Sequence, residues 1–300
     1  MPVNEKRIFA LNDAHISNGP IIYWMSREQR VNDNWALLHA RDLAGTSRPL
    51  VVVFCLAPSF LGATLRQYDF MLKGLEEVSR ELAKLTIPFF ICTGDPGQEI
   101  PLFVSRNNAG AVVTDFDPIR IKQKWQKEVA TKIRVRLIEV DGQNIIPARI
   151  VSDKQEYSAR TIRPKIHRLS NEFLEEYPTL APLNVDMDPN TIRWAALREF
   201  IEVDESVQPV NLVPGEKAAQ NALSTFVATR LEGYAFRRND PNAEGTSRLS
   251  AYFHFGQLST QRVALEVVFS GIGEDKESYL EELIVRRELA NNFCLHNPQY

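Results

Sequence analysis

The chain has 300 residues, 44% hydrophobic and 24% charged, with a formal net charge of −3. That length suggests about two domains, and the ordinary composition excludes collagen-like, mucin-like and disordered classes. No global basic excess announces nucleic acid. Three widely spaced cysteines, Cys55, Cys92 and Cys294, give neither a disulfide framework nor zinc-finger spacing, so a reducing compartment is expected. Residues 1–18 lack an apolar stretch of the secretory type, and the longest strictly apolar run, Leu50–Ala57, is too short to span a membrane.

The first half alternates strand-like and helix-like segments. Pro20–Met25 is a short apolar run, followed by a predicted helix from about Arg27 to Leu43. Leu50–Leu56 is β-branched and apolar throughout, as a strand buried on both faces should be. Arg66–Leu85 carries Phe70, Leu72, Leu75, Val78, Leu82 and Leu85 near a 3.6 period and reads as a helix. Ile87–Cys92 is a third strand, Glu99–Asn107 a helix, Ala111–Thr114 a fourth strand and Arg134–Val140 a fifth. The alternation predicts a Rossmann-like parallel sheet with helices on both faces.

The pattern changes after about residue 150. Residues 175–215 are acidic and contain Pro178, Pro182, Pro189, Pro209 and Pro214, which predicts a connector with one helix around Thr191–Phe200. From Gly215 onward the periodicity is helical, with further helices predicted at Ser259–Phe269 and Tyr279–Phe293. The expected class is therefore α/β followed by all-α. Charge is uneven: residues 118–168 carry net +8 and residues 169–225 net −7. The basic stretch reads either as a phosphate-attracting surface or as a solvated face balanced by the acidic block.

The loop after the first strand reads Ser26-Arg27-Glu28-Gln29-Arg30, so a dinucleotide fingerprint and a P-loop are both absent. Trp24, Trp35 and Trp125 read as core or as stacking platforms. The five histidines show no metal-ligand spacing, no metal is expected, and no nucleophile elbow is present. Two runs carry more information, Gly233-Tyr234-Ala235-Phe236-Arg237-Arg238-Asn239 and Glu244-Gly245-Thr246-Ser247-Arg248-Leu249-Ser250. The second places hydroxyls and backbone amides at a helix start, either a pyrophosphate cradle or an ordinary N-cap. Tyr234 and Arg238 share one helix face if the segment is helical. Glu282 and Arg286, also four apart, are predicted to share another.

At these residues the chain resembles the photolyase/cryptochrome family, and within it the class II cyclobutane-pyrimidine-dimer DNA photolyases. EGTSRLSA with FGQLS is similar to the family's flavin-cradling segment. RRELANNFC, YWMSREQRVNDNWAL, RQYDFMLKGL, TDFDPIRI and GYAFRRNDP extend the resemblance over nearly all of Gly19–Tyr300. It implies an antenna-type α/β domain at 19–150, a connector at 151–214 and the first part of a helical FAD-binding domain at 215–300. Relatives continue for a further helical stretch, so the C-terminal domain is expected to be incomplete. Leu283, Ile284 and Phe293 are then expected to lack apolar partners.

The resemblance also implies roles. Tyr234, Thr246, Ser247, Arg248, Leu249, Ser250 and Gln257 would contact FAD. Arg238 would meet the DNA backbone or help close the site. Glu282 would hydrogen-bond the pyrimidine dimer as the catalytic carboxyl, raised in pKa by a dry pocket. Arg286 stands where many relatives place a tryptophan against the dimer. The implied activity is light-driven dimer repair in UV-damaged DNA by electron transfer from excited, fully reduced FAD, with a cryptochrome-like photoreceptor as the alternative. A second, antenna chromophore of the 8-hydroxy-5-deazaflavin type is possible, although no residue identifies it. A monomer without membrane contact, cytoplasmic or nuclear and not secreted, is expected.

Overall fold

A computed structural model describes residues 2–182, 191–270 and 273–300. Pro189 and the rest of segment 183–190 of the expected connector lie outside the described residues. A 3-10 turn (Glu5–Arg7) leads into β1 (Ile8–Ala10). Then follow β2 (Ile21–Met25), α1 (Trp35–Ala44), β3 (Leu50–Leu56), α2 (Leu65–Lys84), β4 (Phe89–Thr93), α3 (Pro96–Arg106), β5 (Ala111–Asp115), α4 (Arg120–Lys132) and β6 (Arg136–Val140). The helical part comprises α5 (Ala148–Val151), α6 (Ala159–Phe173), α7 (Trp194–Phe200), α8 (Glu216–Thr229), α9 (Tyr234–Arg237), α10 (Ser250–His254), α11 (Thr260–Ser270) and α12 (Gly273–Leu280). A π-helical turn, Glu281–Arg286, joins α12 to α13 (Arg287–His296).

The sheet order is β1-β6-β5-β2-β3-β4. Ile22 sits opposite Val51 on one side and Val112 on the other, and these pairings are parallel. Every residue of β2, β3 and β5 is buried, which is why their sequences are almost continuously apolar. Ile21, Tyr23 and Met25 pack with α1 and α2 on one face, while Ile22 and Trp24 pack with α3 and α4 on the other. The chain reverses direction across the sheet between β2 and β5, and that switch point is where such folds hold ligands. Trp24, Trp35 and Trp125 are all buried in these layers.

Several expectations are corrected. The sheet has a sixth strand, β1, antiparallel to β6; three half-exposed residues carry no alternation to betray it. The helix expected from Arg27 begins only at Trp35, where the Asn34 side chain caps it by accepting from Leu37 N. The helix expected over Tyr279–Phe293 is three pieces with a π turn in the middle. Leu283 and Ile284 do have partners, for they are buried in the same cluster as Ile162, Ile166, Phe226 and Val263. Phe293 alone of the three stays partly exposed, at 36%.

Loop 26–34 joins the two halves. Asp115, at the end of β5, accepts from Tyr23 OH at 2.6 Å and from the amides of Ser26, Arg27 and Glu28 at 2.7–3.0 Å. The loop so shaped docks on the helical half. Gln29 N donates to Phe255 O, Arg30 to Gly256 O, and Glu216 accepts from the amides of Val31 and Asn32. Gly256 has φ +63°, and a Cβ there would lie 2.0 Å from Arg27 O, so this contact requires glycine. Fully buried Arg7 adds a second tie by donating to four backbone carbonyls and Gln261. Replacing Asp115 by Ala strands a phenol and three amides, and an unsatisfied buried polar group costs about 1–3 kcal/mol. Asp115→Ala is therefore expected to lower stability by at least about 3 kcal/mol in urea unfolding, with Asp115→Asn losing less; equal losses would count against the amide cluster.

The seam also buries acids. Glu288 accepts from Ile145 N at 2.7 Å and Ile146 N at 3.2 Å, but its second oxygen has no partner. Burial pushes its carboxyl up to about 8. Glu28 rises to about 7 for the same reason, against the pull of Arg30. An acid raised by folding from an ordinary 4.5 contributes fully below that pH, and the contribution is lost as pH climbs through the folded value. Stability measured by urea midpoint is therefore expected to fall between pH 5 and 8. Glu288→Gln should flatten that fall by up to one proton, about 1.4 kcal/mol per pH unit. An unchanged slope would exclude Glu288 as a source.

Candidate functional site

Gly233, in the left-handed region at φ +76°, turns the chain into α9. Asp275 holds the turn by accepting from Gly233 N and Ala235 N, each at 2.8 Å. Tyr234 is thereby buried, with its ring edge-on to Phe226 and Tyr279. Burial raises its phenol above the ordinary value, against the effect of Arg238. One turn later the Arg238 guanidinium lies 6.0 Å from the Tyr234 ring centre and donates to Glu282 Oε1 at 2.7 Å. The shared face expected for Tyr234 and Arg238 is present, and Glu282 joins them.

Arg286 is elsewhere. In the π turn the widened spiral stacks residues five apart, so Arg286 approaches Glu281 at 3.6 Å. Glu281 also takes a two-pronged bond from Arg163 of α6, at 2.7 and 2.9 Å. The face expected to be shared by Glu282 and Arg286 is replaced by a pair, Arg238–Glu282, and a separate triad, Arg163–Glu281–Arg286. The Glu282 side chain is 42% exposed, so the described residues do not by themselves enclose it in a dry pocket.

The segment Glu244–Ser250 abuts α9. A Cβ on Gly245 would lie 2.5 Å from the backbone of Arg237, so glycine permits the approach. Thr246 and Ser250 are exposed, and their hydroxyls, like the first amides of α10, point to no protein acceptor or donor among the described hydrogen bonds. Ser247 is half-buried and accepts from Leu249 N at 3.4 Å. Arg248, at φ +59°, is exposed and paired with Glu244. The Leu249 side chain is fully buried in the helical core. Gln257 is not brought to this place. It accepts from Gly215 N, donates to Phe70 O and fills the space left by Gly74 on α2.

A cavity of about 180 Å³, which motif reading missed, opens at the carboxyl ends of β2, β3 and β5. Phe54, Phe60 and Trp125 wall it, Lys122 and Asp117 supply charge, and His254 and Phe255 close it from the helical half. Lys122 donates to Ser26 Oγ and lies 5.1–5.2 Å from the Phe60 and Trp125 rings, with burial pushing its ammonium down. The switch-point rule alone could have found the place. Among the described residues no cluster of three or more His, Cys, Asp or Glu could hold a metal, and no helix is long and apolar enough to cross a membrane.

A doubly wound sheet with a cavity at its switch point, docked on a helical unit with a hydroxyl-rich helix start, defines a two-part α/β–α protein. A family model described as DNA photolyase matches residues 21–183. The chain is 44% identical to deoxyribodipyrimidine photo-lyase of Potorous tridactylus over 99% of its own length and 58% of that protein's. It is also 44% identical to the Arabidopsis thaliana protein of that name, over 94% and 60%. A Synechocystis cryptochrome superposes with TM-score 0.74 at 16% identity, covering 94% of this chain and 62% of the other, a likeness of fold alone. The chain belongs to the DNA photolyase family. It spans about three fifths of the length of those two photo-lyases.

The Arg238–Glu282 pair is half in solvent, where such pairs contribute about 0.2–1 kcal/mol. A double-mutant cycle with Arg238→Ala and Glu282→Ala is expected to give a coupling below about 1 kcal/mol in stability. Larger coupling would make the pair structural and unavailable to a ligand.

Proposed function

We propose that the protein repairs cyclobutane pyrimidine dimers in UV-damaged DNA in a light-driven reaction, with FAD as cofactor. The single observation that carries this reading is the juxtaposition of the open cradle at Thr246–Ser250 with the Arg238–Glu282 pair, in a chain of this family. The residues fit the cofactor. Thr246 and Ser250 offer unspent hydroxyls beside the amides that open α10, a donor set suited to a pyrophosphate. Tyr234 would approach the cofactor from α9, which the cradle segment abuts at Gly245. Arg248 and Leu249 support the cradle through their backbone, since one side chain is paired and the other buried. Gln257 acts behind it by seating α10 against α2 and α8.

When bound, fully reduced FAD would supply the photoexcited electron that splits the dimer. This chain's own residues bind and orient. Glu282 and Arg238 separate at small cost and turn to the lesion, the carboxyl towards a pyrimidine carbonyl and the guanidinium towards a flanking phosphate. Arg286 keeps the neighbouring turn in place through Glu281. The dimer would be flipped out of the duplex, since a base inside the stack cannot be reached. The switch-point cavity suits a second, planar aromatic chromophore of the 8-hydroxy-5-deazaflavin type, held between Phe60, Trp125 and Lys122. The working protein is taken to be a monomer in the cytoplasm or nucleus.

Flavin-fluorescence titration tests the cradle. The 300-residue chain is expected to bind FAD weakly, and Thr246→Val with Ser250→Ala to weaken it about a hundredfold or more, since hydrogen bonds to charged groups contribute about 1.5–3 kcal/mol each. Dimer repair under blue light then separates repair from photoreception: FAD-loaded protein that leaves irradiated oligothymidylate unrepaired would favour the cryptochrome-like reading.

A further inference from the structure

Tyr157 is 86% exposed, yet the loop that carries it is pinned. Glu156 N donates to Asn292 Oδ1 at 2.7 Å and Asn292 returns a bond to Lys154 O at 3.0 Å. Ser152 Oγ and Lys165 Nζ both hold the Glu156 carboxylate. A rigid loop that displays an aromatic ring to solvent is not explained by packing.

Its surroundings are basic. Lys154 and Arg160 are exposed, and neither side chain has a hydrogen-bond or ion-pair partner among the described residues. The nearby carboxylates are mostly spent, Glu156 on Lys165 and Glu281 on Arg163, which leaves exposed Asp153 as the local counter-charge. The patch lies within the basic block at 118–168. Arg163 of the same helix, α6, bonds to Glu281, the neighbour of Glu282, and Asn292 lies ten residues beyond Glu282, about 15 Å along the helix axis. Through Arg163 and Glu281 the helix that carries Arg160 is tied to the turn that carries Glu282.

We propose that this loop and the start of α6 bind an unpaired strand of DNA, with Tyr157 stacking on a base and Lys154 and Arg160 meeting the adjoining phosphates. An aromatic ring interleaved with unpaired cations is the arrangement that holds single strands without reading their sequence. The inference rests on the repair reading, in which flipping a lesion leaves bases unpaired beside it. It extends the contact from the lesion to the strand next to it.

Fluorescence anisotropy with labelled oligothymidylate and with an intact mixed-sequence duplex tests it in the 300-residue chain. Tyr157→Ala is expected to weaken single-strand binding about fivefold or more and duplex binding little, while Tyr157→Phe retains wild-type affinity. Arg160→Ala should reduce the salt slope on the single strand by about 0.7, the loss of one phosphate contact. Because both substituted positions are exposed, circular dichroism should show unaltered folding. Wild-type binding that none of the variants changes would overturn this inference alone, and would mean that the patch faces another protein segment. An equal Tyr157→Ala loss on both probes would also overturn it, since a backbone contact needs no ring. A wild-type chain that binds neither probe would overturn this inference, and failure to bind irradiated oligothymidylate as well would overturn the repair reading together with it.

Discussion

One carboxylate organises the centre of this molecule. In dinucleotide-binding sheets the turn after the first strand is glycine-rich, and its amides face a phosphate. Here the amides of Ser26, Arg27 and Glu28 converge instead on Asp115 from the neighbouring strand. The anion nest is filled from within the protein. That substitution frees the loop to carry long side chains where a phosphate-binding turn would need glycine. Arg27, Gln29 and Arg30 are those side chains, and the first two line the switch-point cavity. The other face of the loop is the platform on which the helical half docks.

The docking is polar where a core is usually apolar. Arg7, Glu28, Arg30, Glu216 and Glu288 are all buried along it, and most of their polar atoms meet backbone groups. Such contacts need exact placement and so favour one relative arrangement of the halves. They also store unspent polar capacity: Glu28, Arg287 and Glu288 each keep one buried atom without a protein partner. Atoms of this kind are where ordered water is expected.

Much of this was legible in the sequence, for identifiable reasons. Strands buried on both faces announced themselves in Leu50–Leu56 and Ala111–Thr114, because burial on two sides forbids polar residues. The long helix α2 showed its period because one face alone is buried. The 26–34 loop reads as helix because Arg27, Glu28, Gln29 and Arg30 are good helix formers, and what keeps them from it is Asp115, some ninety positions away. The π turn was hidden too, since Glu281–Arg286 has the composition of a regular helix and only packing widens it. At the candidate site, Tyr234 and Arg238 were found through local spacing. The partnership of Arg238 with Glu282 spans forty-four positions and could not be read from either segment. The resemblance assigns Gln257 to the cofactor, but in the fold its side chain is taken up by Gly215, Phe70 and the space over Gly74.

The short helix α10 has a consequence of its own. Ser250 begins it at the cradle and His254 ends it at the wall of the switch-point cavity, a span of about 7.5 Å. Two ligands held at its ends would share one rigid strut, whose far end is clamped by the Gly256–Arg27 contact. Their separation would not vary with any hinge between the halves. By linkage, whatever the filling of one end did to the affinity of the other would be returned by the same factor in reverse. The strut would thus make the two places thermodynamic neighbours even though no side chain touches both.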